Sequence, residues 1–224
     1  MLKIFGTRWQ SYLKTLGEKV FIPNDCNENG ELSLTELYLM AHIALQMKPR
    51  RIFEIGTFRG TTVTTLAMNT PEDAKIYTLD LPYEKGYMYE DGTYNNPELV
   101  GIVYKACRKS DKAKDINKIT QLWGDSTEFD FSPYYDMMDL VFVDGGHDYD
   151  TVSSDAENAG KMINKNGVII FHDFALWKPS VVEAVYRYTD KMDLNLYIFQ
   201  DTTFGAIGDT LVNLMSDDIG WRNA

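Results

Sequence analysis

Arg51-Ile52-Phe53-Glu54-Ile55-Gly56-Thr57-Phe58-Arg59-Gly60 runs a short apolar stretch into a turn with a glycine at either end, and residues 61–69 follow with helical apolar spacing. A short apolar run closed by glycine and followed by a helix is the opening unit of a parallel α/β sheet. Gly56 permits close backbone approach and Gly60 tight packing of the helix. The loop lacks the middle glycine of G-x-G-x-x-G, which makes room for a pyrophosphate, so it points to a nucleoside ligand without one.

The same rhythm continues outward. Residues 75–79, 118–123, 139–143 and 167–171 read as further buried strands, with a helix over 151–163 that Asp150 can cap and Asn164-Lys165-Asn166-Gly167 can stop. A helix over 180–191 is followed by strands at 194–200 and 203–207, close enough through Asp201-Thr202 to form an antiparallel hairpin at the sheet edge. Upstream, residues 33–47 form a helix with Ser33 as N-cap and Glu36 in the capping-box position. The expectation is an α/β, Rossmann-like fold: a mostly parallel sheet, helices on both faces, an antiparallel edge hairpin. One domain spans 1–224, with an N-terminal extension over 1–32. Residues 82–110 interrupt the alternation with Tyr83, Tyr87, Tyr89 and Tyr94 before a helix over 97–108. That segment reads either as an acceptor-side insertion over the ligand end of the sheet or as an ordinary surface loop.

Acids fall where strands end: Asp80 after 76–79, Gly124-Asp125 after 119–123, Asp144 after 140–143, and His172-Asp173 after 168–171. In a parallel sheet these positions share the rim at which ligands bind. One such acid is usually a cap; four strands ending this way describe a site. Asp80, a little over twenty residues beyond the loop, stands where an acid accepts bonds from ribose hydroxyls.

Glu54 to Gly60, Tyr77-Thr78-Leu79-Asp80-Leu81-Pro82, Gly124-Asp125-Ser126, Val143-Asp144-Gly145-Gly146-His147-Asp148-Tyr149 and Phe171-His172-Asp173-Phe174 together resemble the class I S-adenosylmethionine-dependent methyltransferases. Within these the chain is most similar to the small bacterial-type group related to catechol-like and sugar O-methyltransferases and to cephalosporin hydroxylase-like proteins. The resemblance implies a seven-stranded sheet whose last strand is antiparallel. It implies that Glu54, Gly56, Thr57 and Gly60 surround the methionine and ribose of S-adenosylmethionine, that Asp80 holds the ribose, and that Asp125 and Ser126 sit beside the adenine. Asp144 would lie under the reacting methyl group.

Methyl transfer from a sulfonium is chiefly a matter of alignment, but a hydroxyl acceptor must also lose its proton. His147, three residues after Asp144, is the candidate base, since imidazole titrates near neutrality; the bland reading has it capping a turn or orienting Asp144. Metal-dependent relatives carry an acid after strand four and an Asp-Asn pair after strand five, places that Asp144, His172 and Asp173 match, with His172 replacing the first acid of the pair. Here those residues offer two carboxylates and an imidazole to Mg2+ or another divalent metal, with the histidine a poorer fit to Mg2+. His42 reads as structural. Asp25 to Glu36 also matches the EF-hand loop pattern, but Pro23 opposes an incoming helix, and Gly30 and Glu36 serve a turn and a capping box equally well, so the match reads as accidental.

The chain carries 33 acidic against 22 basic residues, a net charge of −11. That disfavours nucleic acid and is more comfortable with a neutral or cationic small molecule, although net charge says nothing of local distribution. Two cysteines, Cys26 and Cys107, form no metal or redox pattern, and no apolar run is long enough for a membrane span. The expected setting is cytoplasmic, with a small-molecule acceptor, no nucleic acid, no membrane and room for a homo-oligomer. The leading expectation is O-methylation of a small hydroxylated acceptor; the alternative is a non-catalytic S-adenosylmethionine-binding or scaffold protein of the same fold.

Overall fold

In a computed structural model the protein is described over residues 4–7, 17–23, 31–82, 87–88, 94–95, 100–107, 113–211 and 222–223. Its strands are β1 (Ile4–Thr7), β2 (Arg51–Ile55), β3 (Lys75–Asp80), β4 (Tyr87–Met88), β5 (Tyr94–Asn95), β6 (Ile119–Trp123), β7 (Met138–Val143), β8 (Ile163–Phe171), β9 (Leu196–Phe199), β10 (Gly205–Ile207) and β11 (Arg222–Asn223). Its helices are α1 (Leu34–Met47), α2 (Thr61–Asn69), α3 (Ile102–Cys107), α4 (Ala113–Ile116), α5 (Tyr149–Met162) and α6 (Pro179–Lys191).

The main sheet runs β11-β1-β9-β10-β8-β7-β2-β3-β6. The seven expected strands, β6 to β9 in that order, are parallel except for β10, which is antiparallel to both β8 and β9. β1 adds in parallel to β9, and β11 pairs antiparallel with β1, so the hairpin that the sequence puts at the edge has two more strands outside it. Alternation along the central strands divides the core. Leu140, Phe142, Val168 and Ile170 pack with α1 and α2 on one face. Val141, Val143, Ile169 and Phe171 pack with α5 and α6 on the other. Strands buried on both faces must be apolar throughout, which is why β7 and β8 read as continuous apolar runs.

Local signals resolve with small shifts. Ser33 and Glu36 form the capping box, the Ser33 side chain accepting from Glu36 N–H and the Glu36 carboxylate from Ser33 N–H. The N-cap of α5 is Asp148 rather than Asp150, its carboxylate accepting from Thr151 N–H, so the helix starts two residues earlier than expected. The 164–167 stop signal does not make a loop: β8 begins at Ile163, directly after α5, and the register jumps from the Met138–Ile163 pair to Leu140–Val168. Asn164, Lys165 and Asn166 are absorbed as a bulge, with the Asn164 amide donating to Asp139. The helix expected over 97–108 is described only as α3. Tyr83 and Tyr89 lie outside the described residues, and β4 pairs with β5 in a separate two-stranded ribbon. Asp25 to Gly30 and Cys26 also lie outside them. Within the described part of that EF-hand-like stretch, both Glu36 oxygens accept hydrogen bonds, from Ser33 and Thr203. Cys107 is half-buried, and burial raises its thiol pKa.

The sheet brings β2 between β3 and β7, the point at which successive strands depart in opposite directions and ligands bind beyond the carboxyl ends. Gly56 follows β2 there with φ +92°, and a Cβ on it would stand 2.0 Å from the Asp144 carbonyl oxygen. Gly56→Ala is expected to lower unfolding stability by about 2 kcal/mol or more, a wrong-handed φ and a backbone clash acting together. A denaturant midpoint equal to the parent's would show that the loop can relax.

Candidate functional site

The loop after β2 is held by carboxylates. Asp80, ending β3, accepts on one oxygen from the N–H groups of Thr57 (3.0 Å) and Phe58 (2.7 Å), and on the other from Leu81 N–H (2.7 Å). Thr57 is buried, its hydroxyl sharing a proton with Thr78 (2.7 Å) and accepting from the Gln121 amide (3.0 Å). Glu54 is buried beneath the loop and accepts from the Thr78 hydroxyl. Its burial, with Asp144 and Asp80 nearby, holds its carboxyl well above the usual range, against the Thr78 bond. Gly60 begins α2 with φ 83° and lies against the Tyr104 ring.

A cleft of about 200 Å³ opens on this rim. Of the residues that the sequence assigns to the cofactor, Gly56, Asp80, Asp125 and Ser126 line it, as does Asp144. Glu54, Thr57 and Gly60 are not among its lining residues; they stand behind the wall and hold the loop. Gly145, Gly146 and Asp148 complete the side toward α5. Among the described residues the lining includes Asp80, Asp125, Asp144 and Asp148 and no Lys or Arg.

Past Asp144 the two histidines part company. His172 lies 10% exposed between two acids, Nδ1 at 2.9 Å from Asp144 Oδ1 and Nε2 at 3.7 Å from Glu36 Oε2, and its ring leans on Phe142 and Phe204. Burial opposes its charge, but Asp144 and Glu36 outweigh burial and raise its pKa well above the ordinary imidazole value. Glu36 is lowered correspondingly: burial raises it, while His172, Thr203 and Ser33 pull it far below the carboxylate range. An imidazolium with both nitrogens committed is a poor metal ligand. The group of metal-capable side chains is therefore Asp144, His147 and Asp173, whose ligand atoms lie within 4.8 Å of one another. His147 takes the place that the sequence gives to His172.

His147 Nε2 is 2.9 Å from Asp173 Oδ2, and its Nδ1 is 3.1 Å from Lys178 Nζ. An ammonium can only donate, so Nδ1 is the accepting nitrogen and the ring proton lies on Nε2, facing Asp173. Burial raises Asp173, but His147, His172 and Lys178 overcome it and lower its pKa. Sequence reasoning missed Lys178 because a lysine before a proline at a helix start carries no recognisable pattern. It missed Glu36 as a site group because the capping box already explained it. His42 is buried and edge-on to Tyr38, as expected of a structural residue.

The chain matches a methyltransferase-domain family over residues 53–174. A curated relative, uncharacterized protein R132 of Acanthamoeba polyphaga mimivirus, is 34% identical over 62 residues, a match spanning 27% of this chain and 28% of that protein's length. Among solved structures the chain resembles the SAH-bound methyltransferase PaMTH1 of Podospora anserina, with TM-score 0.58, 17% identity and 80% of each chain covered. It also resembles an O-methyltransferase from Bacillus cereus in complex with SAH, with TM-score 0.56, 16% identity and 81% and 84% coverage. A third is the O-methyltransferase TomG of Streptomyces achromogenes, involved in tomaymycin synthesis and in complex with SAM, with TM-score 0.57, 19% identity and 79% of each chain covered. At these identities the likeness is one of fold.

Asp155 of α5 is fully buried behind the cleft floor, its Oδ2 3.0 Å from where a Gly145 Cβ would stand. Burial pushes its carboxyl up to about 7, with Asp125 and Asp148 adding to the shift and the Ser126 hydroxyl opposing it. An acid whose pKa is raised on folding favours the native state below its unfolded value, near 4, and that stability is lost as pH rises toward 7. Asp155→Asn, which mimics the protonated acid, should match the parent at pH 4 and exceed it by about 4 kcal/mol above pH 7. Parallel stability–pH curves for the two proteins would refute the assignment.

Proposed function

The chain belongs to the methyltransferase-domain family, and on that premise we propose that it methylates a hydroxyl of a small acceptor using S-adenosylmethionine. The observation that carries this reading is the cleft lining, which among the described residues has four aspartates, several glycines and no cation. Such a lining repels a pyrophosphate and suits a ligand with a sulfonium and an ammonium. Gly56 and Gly145 leave backbone at the surface, the cradle that a close-fitting nucleoside needs. In this reading Asp80 holds the ribose, Asp125 and Ser126 flank the adenine, and Asp144 faces the reacting end. Glu54, Thr57 and Gly60 act by holding the loop. S-adenosylmethionine supplies, when bound, a methyl group made electrophilic by cationic sulfur.

The protein's own contribution is orientation and proton handling. Asp173 fixes His147 through Nε2–H, leaving Nδ1 as the nitrogen that can accept a proton from the acceptor hydroxyl. Asp144, fixed by His172, assists from the cleft side. A second reading is favoured by the convergence of Asp144, His147 and Asp173. Two oxygens and one imidazole fit a divalent ion of intermediate softness, which would act as a Lewis acid on acceptor oxygens. A small-molecule acceptor as partner, with room for a homo-oligomer, and the cytoplasmic setting belong to this proposal. Among the described residues no helix is long and apolar enough to cross a membrane.

Calorimetry should show S-adenosylmethionine binding and no binding of NAD; the opposite preference overturns the reading. With S-adenosylhomocysteine formation across hydroxylated acceptors as the readout, His147→Ala should keep cofactor affinity within about twofold and lose roughly a hundredfold in kcat. Cofactor binding with no turnover on any acceptor would favour the non-catalytic alternative. Exhaustive chelation followed by metal add-back separates the two catalytic readings, since full activity without metal excludes the second.

A further inference from the structure

Lys178 stands at the N-cap of α6, half-buried, directly after the exposed Leu176 and Trp177. Its side chain makes no capping bond. Its ammonium has three protons to give, and its hydrogen-bond partner is His147 Nδ1, a neutral ring nitrogen, at 3.1 Å. Elsewhere among the described residues, half-buried Lys118 satisfies itself on the carbonyls of Ala67, Thr70 and Pro71, and exposed Lys105 on that of Val100. Lys191, on the surface, pairs with Glu157. Asp173 feels the Lys178 charge, yet accepts its hydrogen bond from His147 Nε2–H, and no carboxylate among the described residues forms an ion pair with Lys178. A half-buried cation at the positive end of a helix, without a carboxylate of its own and bordering the reactive cluster, is an arrangement that an arriving anion completes.

We propose that Lys178 is a specificity-determining residue that recognises an anionic group on the acceptor, so that the acceptor is a small hydroxylated carboxylate or phosphate. The inference rests on the methyl-transfer reading and narrows its substrate class. A charged acceptor oxygen makes the stronger, charge-assisted bond and draws the ammonium off His147. That leaves His147 held by Asp173 at Nε2 and open at Nδ1, toward the acceptor hydroxyl. A neutral acceptor has nothing with which to compete for the lysine. The whole-chain charge of −11, which fits a neutral or cationic ligand, does not describe this corner, where the Lys178 ammonium forms its hydrogen bond with a ring nitrogen and no ion pair with a carboxylate among the described residues.

The test compares two matched pairs of probes by calorimetry, 3,4-dihydroxybenzoate against catechol and glucose 6-phosphate against glucose. It is run on the protein with and without saturating S-adenosylhomocysteine. The anionic member of one pair should bind about tenfold tighter than its neutral partner, and which pair shows the gap distinguishes carboxylate from phosphate. Lys178→Met should abolish the gap while leaving S-adenosylhomocysteine affinity unchanged, and Lys178→Arg should restore part of it. No gap in either pair, or a gap that survives Lys178→Met, overturns the proposal. Failure of S-adenosylhomocysteine to bind would instead sink the cofactor reading, and the acceptor pairs are still compared on the protein alone.

Discussion

The carboxylate of Asp80 gripping the backbone of Thr57 and Phe58 is the contact from which the site is built. Parallel pairing of β2 with β3 delivers Asp80 and the loop to the same rim, and the short aspartate side chain then has two orphan N–H groups within reach. On the opposite side of β2, pairing with β7 sets Asp144 N–H on the Ile55 carbonyl and presses Gly56 against the Asp144 carbonyl. The loop is thus wedged between two strand ends, and a side chain at position 56 has no space. A cleft whose walls are made this way has its shape fixed by sheet register rather than by side-chain rotamers.

Around that wedge the protein buries more carboxyl groups than it has cations to pair with them, and it resolves each differently. Glu54 and Asp155 are raised by burial and pushed toward the neutral form. Glu36 keeps its charge by collecting donors from α1, from Thr203 and from His172, so that one side chain joins the helix cap, the hairpin and the site. Asp173 is lowered by His147, His172 and Lys178 against its burial, and Asp144 meets the His172 ring. The result is a row of alternating acid and imidazole along the strand ends, each polar side chain there having a partner across the rim.

Most of the architecture was legible because it follows from periodicity and punctuation: apolar runs too short for helices, glycines at turns, Ser33 with Glu36. The rim of acids was legible for the same reason, since strand ends fix which residues share an edge. Proximity between loops was not. His147 is four residues past its strand and His172 one past its own, and nothing in their spacing says that one would be clamped by Glu36, far away in sequence, while the other faces Asp173. The assignment of His172 rather than His147 to the metal-capable group came from that blindness. Lys178 was invisible for a related reason: its significance lies in the absence of an ion-pair partner, and absences of that kind exist only in three dimensions. Likewise Asp148 displaced Asp150 as cap because the choice between two aspartates two residues apart depends on where the strand before them releases the chain.

The base of the 82–110 segment is fastened to the loop after β2. Gly101 N–H donates to the Phe58 carbonyl, Val103 N–H to that of Arg59, and Tyr104 lies on Gly60 with its hydroxyl on Gln121. Gln121 in turn donates to Thr57. A ligand that tightens the loop therefore tightens this attachment too, and linkage requires the converse by the same factor. Occupancy at one end of the rim is registered at the other as a shared free energy, so the order in which two ligands arrive alters the path but not the sum.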